Sequence, residues 1–269
     1  MIKYLTLCAD DFAQNAPISQ GILALLQQRR LSATSCMSQS ALWPTLAAEL
    51  RCHAEQADIG LHFNLTHSFK KNQTYSLSKL MLNGVTRVIS EQQAYSHLNE
   101  QLDLFEKHFG RAPDFIDGHQ HVHQFAHIRT ALIATLKQRY PTATPYIRST
   151  LRGAKAPAYN IETVKSRIIQ WFGGRPLRDA AERAQIVCNA DFGGIYGLQP
   201  YSNFAEKMQV WLTNTQPNGL IMCHPGVNSD DPDDPIRLAR AEEFTYLASD
   251  QFAQDLATAN VQLSKLIRQ

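Results

Sequence analysis

Aspartate and histidine residues stand at the ends of several short apolar runs in this sequence. Asp10 and Asp11 follow the first run, His62 lies near the end of another, and His119 and His224 each come directly after one. One carboxylate and two imidazoles can supply three ligands to a divalent metal ion and leave a position open for water. Because a metal-bound water ionises near neutral pH, this set of residues predicts metal-assisted hydrolysis.

The adjacent Asp10 and Asp11 need separate roles. Neighbouring side chains on an extended strand point to opposite faces, so both carboxylates can reach one site only where the strand turns. We expect one of them to bind the metal ion and the other to act on water.

Three histidines, His119, His121 and His123, alternate with other residues. On an extended segment this spacing would place all three on one face, which favours a metal or catalytic role for at least one of them. We expect His127 in the first turn of the next helix. The other histidines have no partner that the sequence identifies and are expected to be solvated: His53, His67, His97 and His108.

Strands and helices alternate along the chain and must position these side chains. Such alternation implies parallel strands joined by right-handed crossovers, in a doubly wound sheet or a barrel. Both folds bring the carboxyl ends of strands together, so the acidic and histidine residues would share one site. The apolar, β-rich runs predicted as strands are residues 3–9, 33–38, 58–63, 115–118, 145–149, 185–189 and 220–223.

Two helices have recognisable ends. Asn15 and Pro17 stand where the cap and an early proline of the first helix belong. Ser90 and Gln93 form a capping-box pattern that opens a later helix, and Gly110 ends it. These two helices are therefore the most sharply bounded elements of the prediction.

Length and composition favour a single domain without a membrane span. The chain has 269 residues, of which 44% are hydrophobic, and α/β barrels use this length as one domain. The net charge of +2 gives no support for a nucleic-acid partner. No signal-peptide pattern and no run of about 18 apolar residues is found. Five cysteines without a C-x-x-C motif are expected to be free thiols, which favours the cytoplasm.

Two stretches interrupt the alternation. Residues 64–89 are mostly polar and predict a long loop near the strand ends. Residues 152–183 carry several basic side chains beside Trp171 and Phe172. A solvated helix and loop explain this second stretch, and a contact surface for an anionic or lipid-linked substrate is the alternative.

Four short motifs follow one another: Ala-Asp-Asp-Phe at 9–12, Gly-Leu-His-Phe-Asn-Leu-Thr at 60–66, Asp-Gly-His-Gln-His-Val-His at 117–123 and Met-Cys-His-Pro-Gly at 222–226. In this order and spacing they resemble the YdjC-like family, which includes chitooligosaccharide deacetylases and deacetylases linked to hopanoid synthesis. The resemblance covers roughly residues 3–250. It implies a single-domain (β/α) barrel, complete or incomplete, related in architecture to polysaccharide deacetylases.

The resemblance also implies a division of roles among the candidate residues. Asp11, His62 and His119 would bind one divalent metal ion, Mg²⁺ or Zn²⁺. Asp10 would be the general base, and His224 the general acid that protonates the departing amine. The implied activity is removal of an acetyl group from a chitooligosaccharide or from another acetylated carbohydrate or glycolipid.

Further residues would serve the substrate, and two positions depart from the family pattern. By the same resemblance His121 and His123 line the sugar site, and Arg148 orients a carboxylate or holds its strand end in a salt bridge. Gln120 stands where many members have another histidine, and Ala13 stands where the family usually has glycine. Ala13 should only tighten a turn, unless the position needs a positive φ, which alanine tolerates poorly.

Other functions fit part of this pattern. Two histidines and a carboxylate also bind Fe(II) in non-haem oxygenases. A metal-dependent phosphoesterase could receive phosphate at the basic stretch around 167–178, and a carbohydrate-binding protein without turnover would keep only the pocket. The additional Asp10 and His224 favour hydrolysis. The sequence leaves a homodimer open.

Overall fold

One parallel sheet organises the protein. The structure is a computed structural model that describes residues 2–69, 74–152 and 173–267. The strands pair in parallel in the order β5-β4-β3-β2-β1-β7-β6, and β8 pairs with the first residues of β1. Their bounds are β1 (Lys3–Phe12), β2 (Ala33–Cys36), β3 (Asp58–Phe63), β4 (Phe115–Gly118), β5 (Tyr146–Ile147), β6 (Phe192–Gly193), β7 (Gly219–Cys223) and β8 (Val261–Leu263).

Helices connect most of these strands, as the alternating pattern predicts. Among the described residues, no helix combines the length and the apolar character that crossing a membrane requires. The helices are α1 (Ala16–Gln27), α2 (Trp43–Leu50), α3 (Leu77–Met81), α4 (Asn83–Thr86), α5 (Glu91–Phe109), α6 (Ile128–Arg139), α7 (Arg175–Arg183), α8 (Phe204–Asn214), α9 (Arg237–Leu247) and α10 (Asp250–Thr258), with 3-10 turns at Arg51–His53 and His119–Gln124.

The sheet curls into an incomplete (β/α) barrel. A parallel bridge between Ile147 and Cys188 links β5 to the segment before β6, and Phe192 of β6 pairs with Leu220 of β7. The two edges of the sheet therefore approach each other through one short segment. The predicted fold class is confirmed, but the predicted strand at 185–189 is wrong, because Cys188 forms only this isolated bridge there.

Side chains alternate between the two faces of the curled sheet. Leu7 and Ala9 belong to the large core that packs under the helices, whereas Cys8 belongs to a smaller cluster. Because the sheet is curved, this smaller cluster forms its inner face. The cluster draws residues from several strands: Cys8, Ala33, Phe115, Tyr146, Phe192 and Leu220.

Most of the predicted helix ends are confirmed. The Asn15 side chain accepts a hydrogen bond from the Ile18 backbone N–H at the start of α1. Ser90 and Gln93 form the capping box of α5, and Gly110 ends that helix with a φ of 88°. Strands β6 and β8 were not predicted, because two or three residues are too few to show alternation.

The excursion after β3 is anchored to helix α5 by one buried side chain, Gln101, which bonds the backbone of Asn64 twice. The Asn64 backbone N–H donates to Gln101 Oε1 (2.9 Å), and Gln101 Nε2 donates to the Asn64 carbonyl (2.8 Å). Helices α3 and α4 follow within the excursion. Most of the second excursion, residues 153–172 with Trp171 and Phe172, lies outside the described residues.

We expect Gln101→Leu to lower the free energy of unfolding by about 2 to 4 kcal/mol, because it leaves a buried N–H and a buried carbonyl of Asn64 without partners. Urea unfolding measures the change. The control Gln92→Leu, at an exposed position of the same helix, should stay within about 0.5 kcal/mol of wild type. Equal stability of the two variants would contradict this account of the anchor.

Candidate active site

Strand β1 brings both aspartates to one cleft because its end is kinked. Its pairing with β2 changes register between Ala9 and Phe12, and Asp11 has a φ of 69°. An irregularity of this kind re-aims one side chain of a strand. Asp10 keeps the inward direction of Cys8, and the kink turns Asp11 toward the same cleft. The kink is therefore the turn by which both carboxylates reach one site, as expected from the sequence.

The potential ligand atoms of three side chains lie close together: those of Asp11, His62 and His119. His62 Nε2 lies 3.2 Å and His119 Nδ1 lies 3.1 Å from Asp11 Oδ1. One ligand atom from each residue lies within 4.8 Å of the others. Arg240 Nη2 binds the second oxygen of Asp11, Oδ2, at 2.8 Å. Burial alone would raise the pKa of Asp11, but Arg240 and His119 hold that pKa well below its usual range.

The chemistry of this cluster fits a divalent metal ion. Asp11 Oδ1 and the two imidazoles form a three-ligand set open to the cleft, as a catalytic rather than a structural site needs. Histidines that bind metal commonly give their other ring N–H to a carboxylate. His62 shows this arrangement, since its Nδ1 lies 2.6 Å from Asp117 Oδ1.

A buried arginine holds the carboxylates beneath the cleft. Arg148 Nη1 lies 2.5 Å from Asp10 Oδ1 and 3.0 Å from Asp117 Oδ2, and Arg148 has no exposed surface. Burial alone would raise the pKa of Asp10, but Arg148, His62 and His224 outweigh it and hold that pKa well below its usual range. Asp10 is therefore ionised at neutral pH.

His224 stands just past the end of β7 and faces Asp10. Its Nε2 lies 3.9 Å from Asp10 Oδ2, and its Nδ1 has no hydrogen-bond partner in the described part of the chain. Burial lowers the pKa of His224 to about 4, and Asp10 and Asp11 offset this only in part. The imidazole is therefore neutral at pH 7.

A cleft of ≈ 650 Å³ opens above these residues. That volume is in the range of sites for small molecules. His121 also lines the cleft, and its buried Nδ1 has no partner among the residues described. Apolar side chains from the excursion after β3 and from the segment after β6 form much of the wall: Leu77, Met81, Ile195, Tyr196 and Leu198.

The segment that carries the three alternating histidines is not extended, so the condition for one shared face is not met. They lie in a 3-10 turn in which Gln120 and His121 have φ values of 53° and 60°. The chain coils after Gly118 instead of extending, and each imidazole takes its own direction. His119 faces the aspartate cluster, whereas His123 is wholly buried.

His123 and Arg148 lie behind the cleft rather than in its wall. His123 Nε2 hydrogen-bonds the Arg148 carbonyl (2.9 Å), and neither side chain is among the described residues that line the cleft. Arg148 instead forms the salt bridge that the sequence left open as its alternative role. Arg148 thus holds Asp10 and Asp117 from below, and His123 contacts the Arg148 backbone.

Several residues at the site carry no clear signal in the sequence. Asp117 stands two positions before His119 in one motif, and this spacing could have identified it. Arg240 and Glu243 lie on α9, where an arginine and a glutamate resemble ordinary surface charges. His67, expected to be solvated, lines the cleft, and its ring centroid lies 6.1 Å from that of His119.

Known protein sequences similar to this chain include sugar deacetylases. The YdjC-like protein family matches residues 4–258. A chitooligosaccharide deacetylase of Yersinia pestis (strain Pestoides F) is 31% identical over 244 residues, covering 84% of this chain and 82% of that protein. One of Serratia marcescens is 31% identical over 131 residues, covering 46% of this chain and 51% of that protein.

Solved structures share the fold. A proposed cellobiose-phosphate cleavage protein from Enterococcus faecalis V583 superposes with a TM-score of 0.74 at 18% identity, covering 99% of this chain and 98% of that chain. A peptidoglycan N-acetylglucosamine deacetylase has a TM-score of 0.51 at 13% identity, covering 98% and 91%. At these identities the likeness concerns the fold alone.

The fold and the site together define an incomplete (β/α) barrel with an aspartate–histidine cluster in its mouth. With a family match over nearly its whole length, the chain belongs to the YdjC-like family.

We expect Asp117→Asn to weaken Zn²⁺ binding about 10- to 100-fold, because the neutral amide no longer orients and polarises the His62 imidazole. Isothermal titration calorimetry on the metal-free protein measures the affinity. The control Asp103→Asn removes an exposed carboxylate of α5 that pairs only with Arg139 in the described structure, and it should bind like wild type. Undiminished affinity in Asp117→Asn would contradict this role.

Proposed function

We propose that this protein is a metal-dependent carbohydrate N-deacetylase that acts on an N-acetylated sugar. The observation that carries the proposal is the Asp11–His62–His119 cluster with Asp10 and His224 beside it in one cleft. The names of the Yersinia and Serratia relatives support a chitooligosaccharide as substrate. Other acetylated carbohydrates and glycolipids share the same scissile amide.

Asp11, His62 and His119 would hold the metal ion, Zn²⁺ or Mg²⁺. When bound, such an ion supplies Lewis-acid polarisation of the amide carbonyl and lowers the pKa of water. Arg240 already occupies Oδ2 of Asp11, so it would leave Oδ1 for the ion. Asp117 would keep the tautomer of His62 that presents Nε2 to the cleft.

Asp10 and His224 would move the proton that amide cleavage requires. Asp10 is ionised and accepts a proton from the attacking water as the new C–O bond forms. Its Oδ2 lies 3.9 Å from His224 Nε2, and the proton passes to the neutral imidazole once the two groups close to hydrogen-bond distance in the substrate complex. His224 then donates it to nitrogen while the C–N bonding pair leaves with the amine. The products are acetate and a free amino sugar.

The cleft itself favours this reaction over phosphate ester hydrolysis. Its described lining contains four aspartates, Asp10, Asp11, Asp233 and Asp234, and one arginine. That arginine, Arg240, is already paired with Asp11 and Asp234. No unpaired arginine or lysine of the described lining is therefore left to bind a phosphate, whereas a neutral acetamide needs none.

We expect the metal-free protein to release acetate from N-acetylglucosamine oligomers only after Zn²⁺, Mg²⁺, Mn²⁺ or Co²⁺ is added. Asp10→Asn and His224→Ala should lose about 10²-fold or more of kcat with unchanged metal affinity, because proton transfer commonly contributes 10²- to 10⁴-fold. Asp11→Ala should lose both activity and metal. Enzymatic acetate detection and calorimetry measure the two quantities.

His108→Ala, on α5 away from the cleft lining, serves as the matched histidine control and should keep full activity. A glycolipid carrying an N-acetylated sugar belongs in the same panel. Loss of metal in Asp10→Asn or His224→Ala would show that the ligands are assigned wrongly. Absence of acetate with every substrate despite bound metal would overturn the proposed activity.

A further inference from the structure

The ring nitrogens of His224 make few polar contacts that could hold the ring in place. Its Nε2 lies 3.9 Å from Asp10, beyond hydrogen-bond distance, and its buried Nδ1 has no partner within the described residues. No hydrogen bond to the ring therefore fixes its direction. The position of the imidazole must depend on where the backbone of residue 224 is placed.

Helix α9 holds that backbone at both of its polar groups. The His224 N–H donates to Glu243 Oε2 at 2.5 Å, and Arg240 Nη1 donates to the His224 carbonyl at 3.4 Å. The Gly226 N–H donates to the Arg240 carbonyl at 3.2 Å. Residues 240 and 243 stand three positions apart, so they share one face of the helix. We name this set of contacts the α9 clamp.

Glu243 extends the clamp to the segment after β6. Its Oε1 accepts a hydrogen bond from the Tyr196 hydroxyl at 2.5 Å, and Tyr196 lines the cleft. Glu243 has no exposed surface, and both of its oxygens are used. Burying a carboxylate without these hydrogen-bond donors would destabilise the fold. The two charge-assisted hydrogen bonds therefore fix the position of Glu243 relative to its donors.

The same face of α9 also reaches the aspartate–histidine cluster. Arg240 Nη2 binds Asp11 Oδ2 at 2.8 Å, and its Nε binds Asp234 Oδ2 at 2.8 Å. One helix therefore fixes a proposed ligand through Arg240 and the proposed proton donor through Glu243. A shift of α9 would displace both groups relative to each other.

We propose that Glu243 is a positioning residue for the reaction, which acts by setting the place of His224 against Asp10 and the scissile amide. This inference rests on the proposed function, because it assumes that His224 delivers a proton to nitrogen. Glu243 is neither among the described residues that line the cleft nor in the aspartate–histidine cluster. Its contribution passes through the His224 backbone and the Tyr196 hydroxyl.

A double-mutant cycle tests this role on acetate release from an N-acetylglucosamine oligomer that wild type cleaves. Glu243→Ala should lower kcat about 10- to 100-fold, with KM and Zn²⁺ affinity within about threefold of wild type, since misplacement by about 1 Å can cost 10²-fold. In His224→Ala the further change Glu243→Ala should have almost no effect, because residues that act as a unit are not additive. Multiplied losses would overturn the proposal.

Conservative variants separate positioning from general damage to the fold. Glu243→Gln should recover part of kcat, since its amide oxygen can still accept the His224 N–H. Tyr196→Phe should lose less than Glu243→Ala, because it frees only one of the two carboxylate oxygens. The control Glu206→Gln, at an exposed site of α8, should match wild type. If Glu243→Ala does not fold, the glutamine variant enters the cycle with His224→Ala.

A second substrate gives a readout that a merely structural role would not produce. An aryl acetate such as p-nitrophenyl acetate has a leaving group that needs no protonation. If wild type cleaves it, Glu243→Ala and His224→Ala should both slow the ester far less than the amide. Equal losses on both substrates would overturn the positioning role.

Failure of this inference is distinguishable from failure of the proposed function. If wild type releases no acetate from any oligomer, the proposed function fails. If His224→Ala is fully active on the amide, the proton donor is assigned wrongly. If wild type is active, His224→Ala is inactive and Glu243→Ala equals wild type, only the role of Glu243 is wrong.

Discussion

The buried ion pairs around Arg148 determine the arrangement of the whole site. Arg148 has no exposed surface and binds both Asp10 and Asp117, whose other contacts reach His224 and His62. Removing one partner of such a group leaves an uncompensated buried charge and costs about 3 to 5 kcal/mol. The positions of these carboxylates are therefore set by a guanidinium that is not among the described residues lining the cleft.

The alternation of strand residues explains why these charges meet. Cys8, Phe115 and Tyr146 belong to the apolar inner cluster, and Asp10, Asp117 and Arg148 stand two positions after them. A period of two keeps each pair on one face of its strand. The inner face therefore has an apolar base and a charged layer above it, and that layer lies beneath the cleft. Strand register alone accounts for the placement of these three charged side chains.

Part of this arrangement could be predicted from the sequence, because it depends on local pattern. The strand-end placement of Asp10, His62 and His224 follows from apolar runs and from the rule that parallel strands share one ligand-binding end. The separate directions of His119, His121 and His123 could not be predicted in this way. They depend on two consecutive positive φ values, which no spacing rule indicates.

Contacts from helix α9 were beyond prediction for another reason. Arg240 and Glu243 reach the site only because α9 packs against the segment that follows β7, and the sequence separates them from Asp11 by more than two hundred positions. Asp117 is an intermediate case. Its place in a motif is visible in the sequence. Its contacts with His62 and Arg148, however, arise only when the fold brings these residues to either side of it.

The backbone beside the site is strained, and the surrounding contacts hold it in that conformation. Asp11 and Ala13 have φ values of 69° and 70°, in a region that costs an L-residue about 1 to 2 kcal/mol. A glycine at position 13 would avoid this cost, so the condition for a strained alanine is met. The Ala13 N–H donates to Ser19 Oγ at 3.1 Å, and the Gln14 N–H donates to the Asp11 carbonyl at 3.0 Å. Such strain persists only where surrounding contacts enforce it. Here the bonds that hold the kink also turn Asp11 toward His62, so the strained turn and the geometry of the proposed metal site arise from the same constraint.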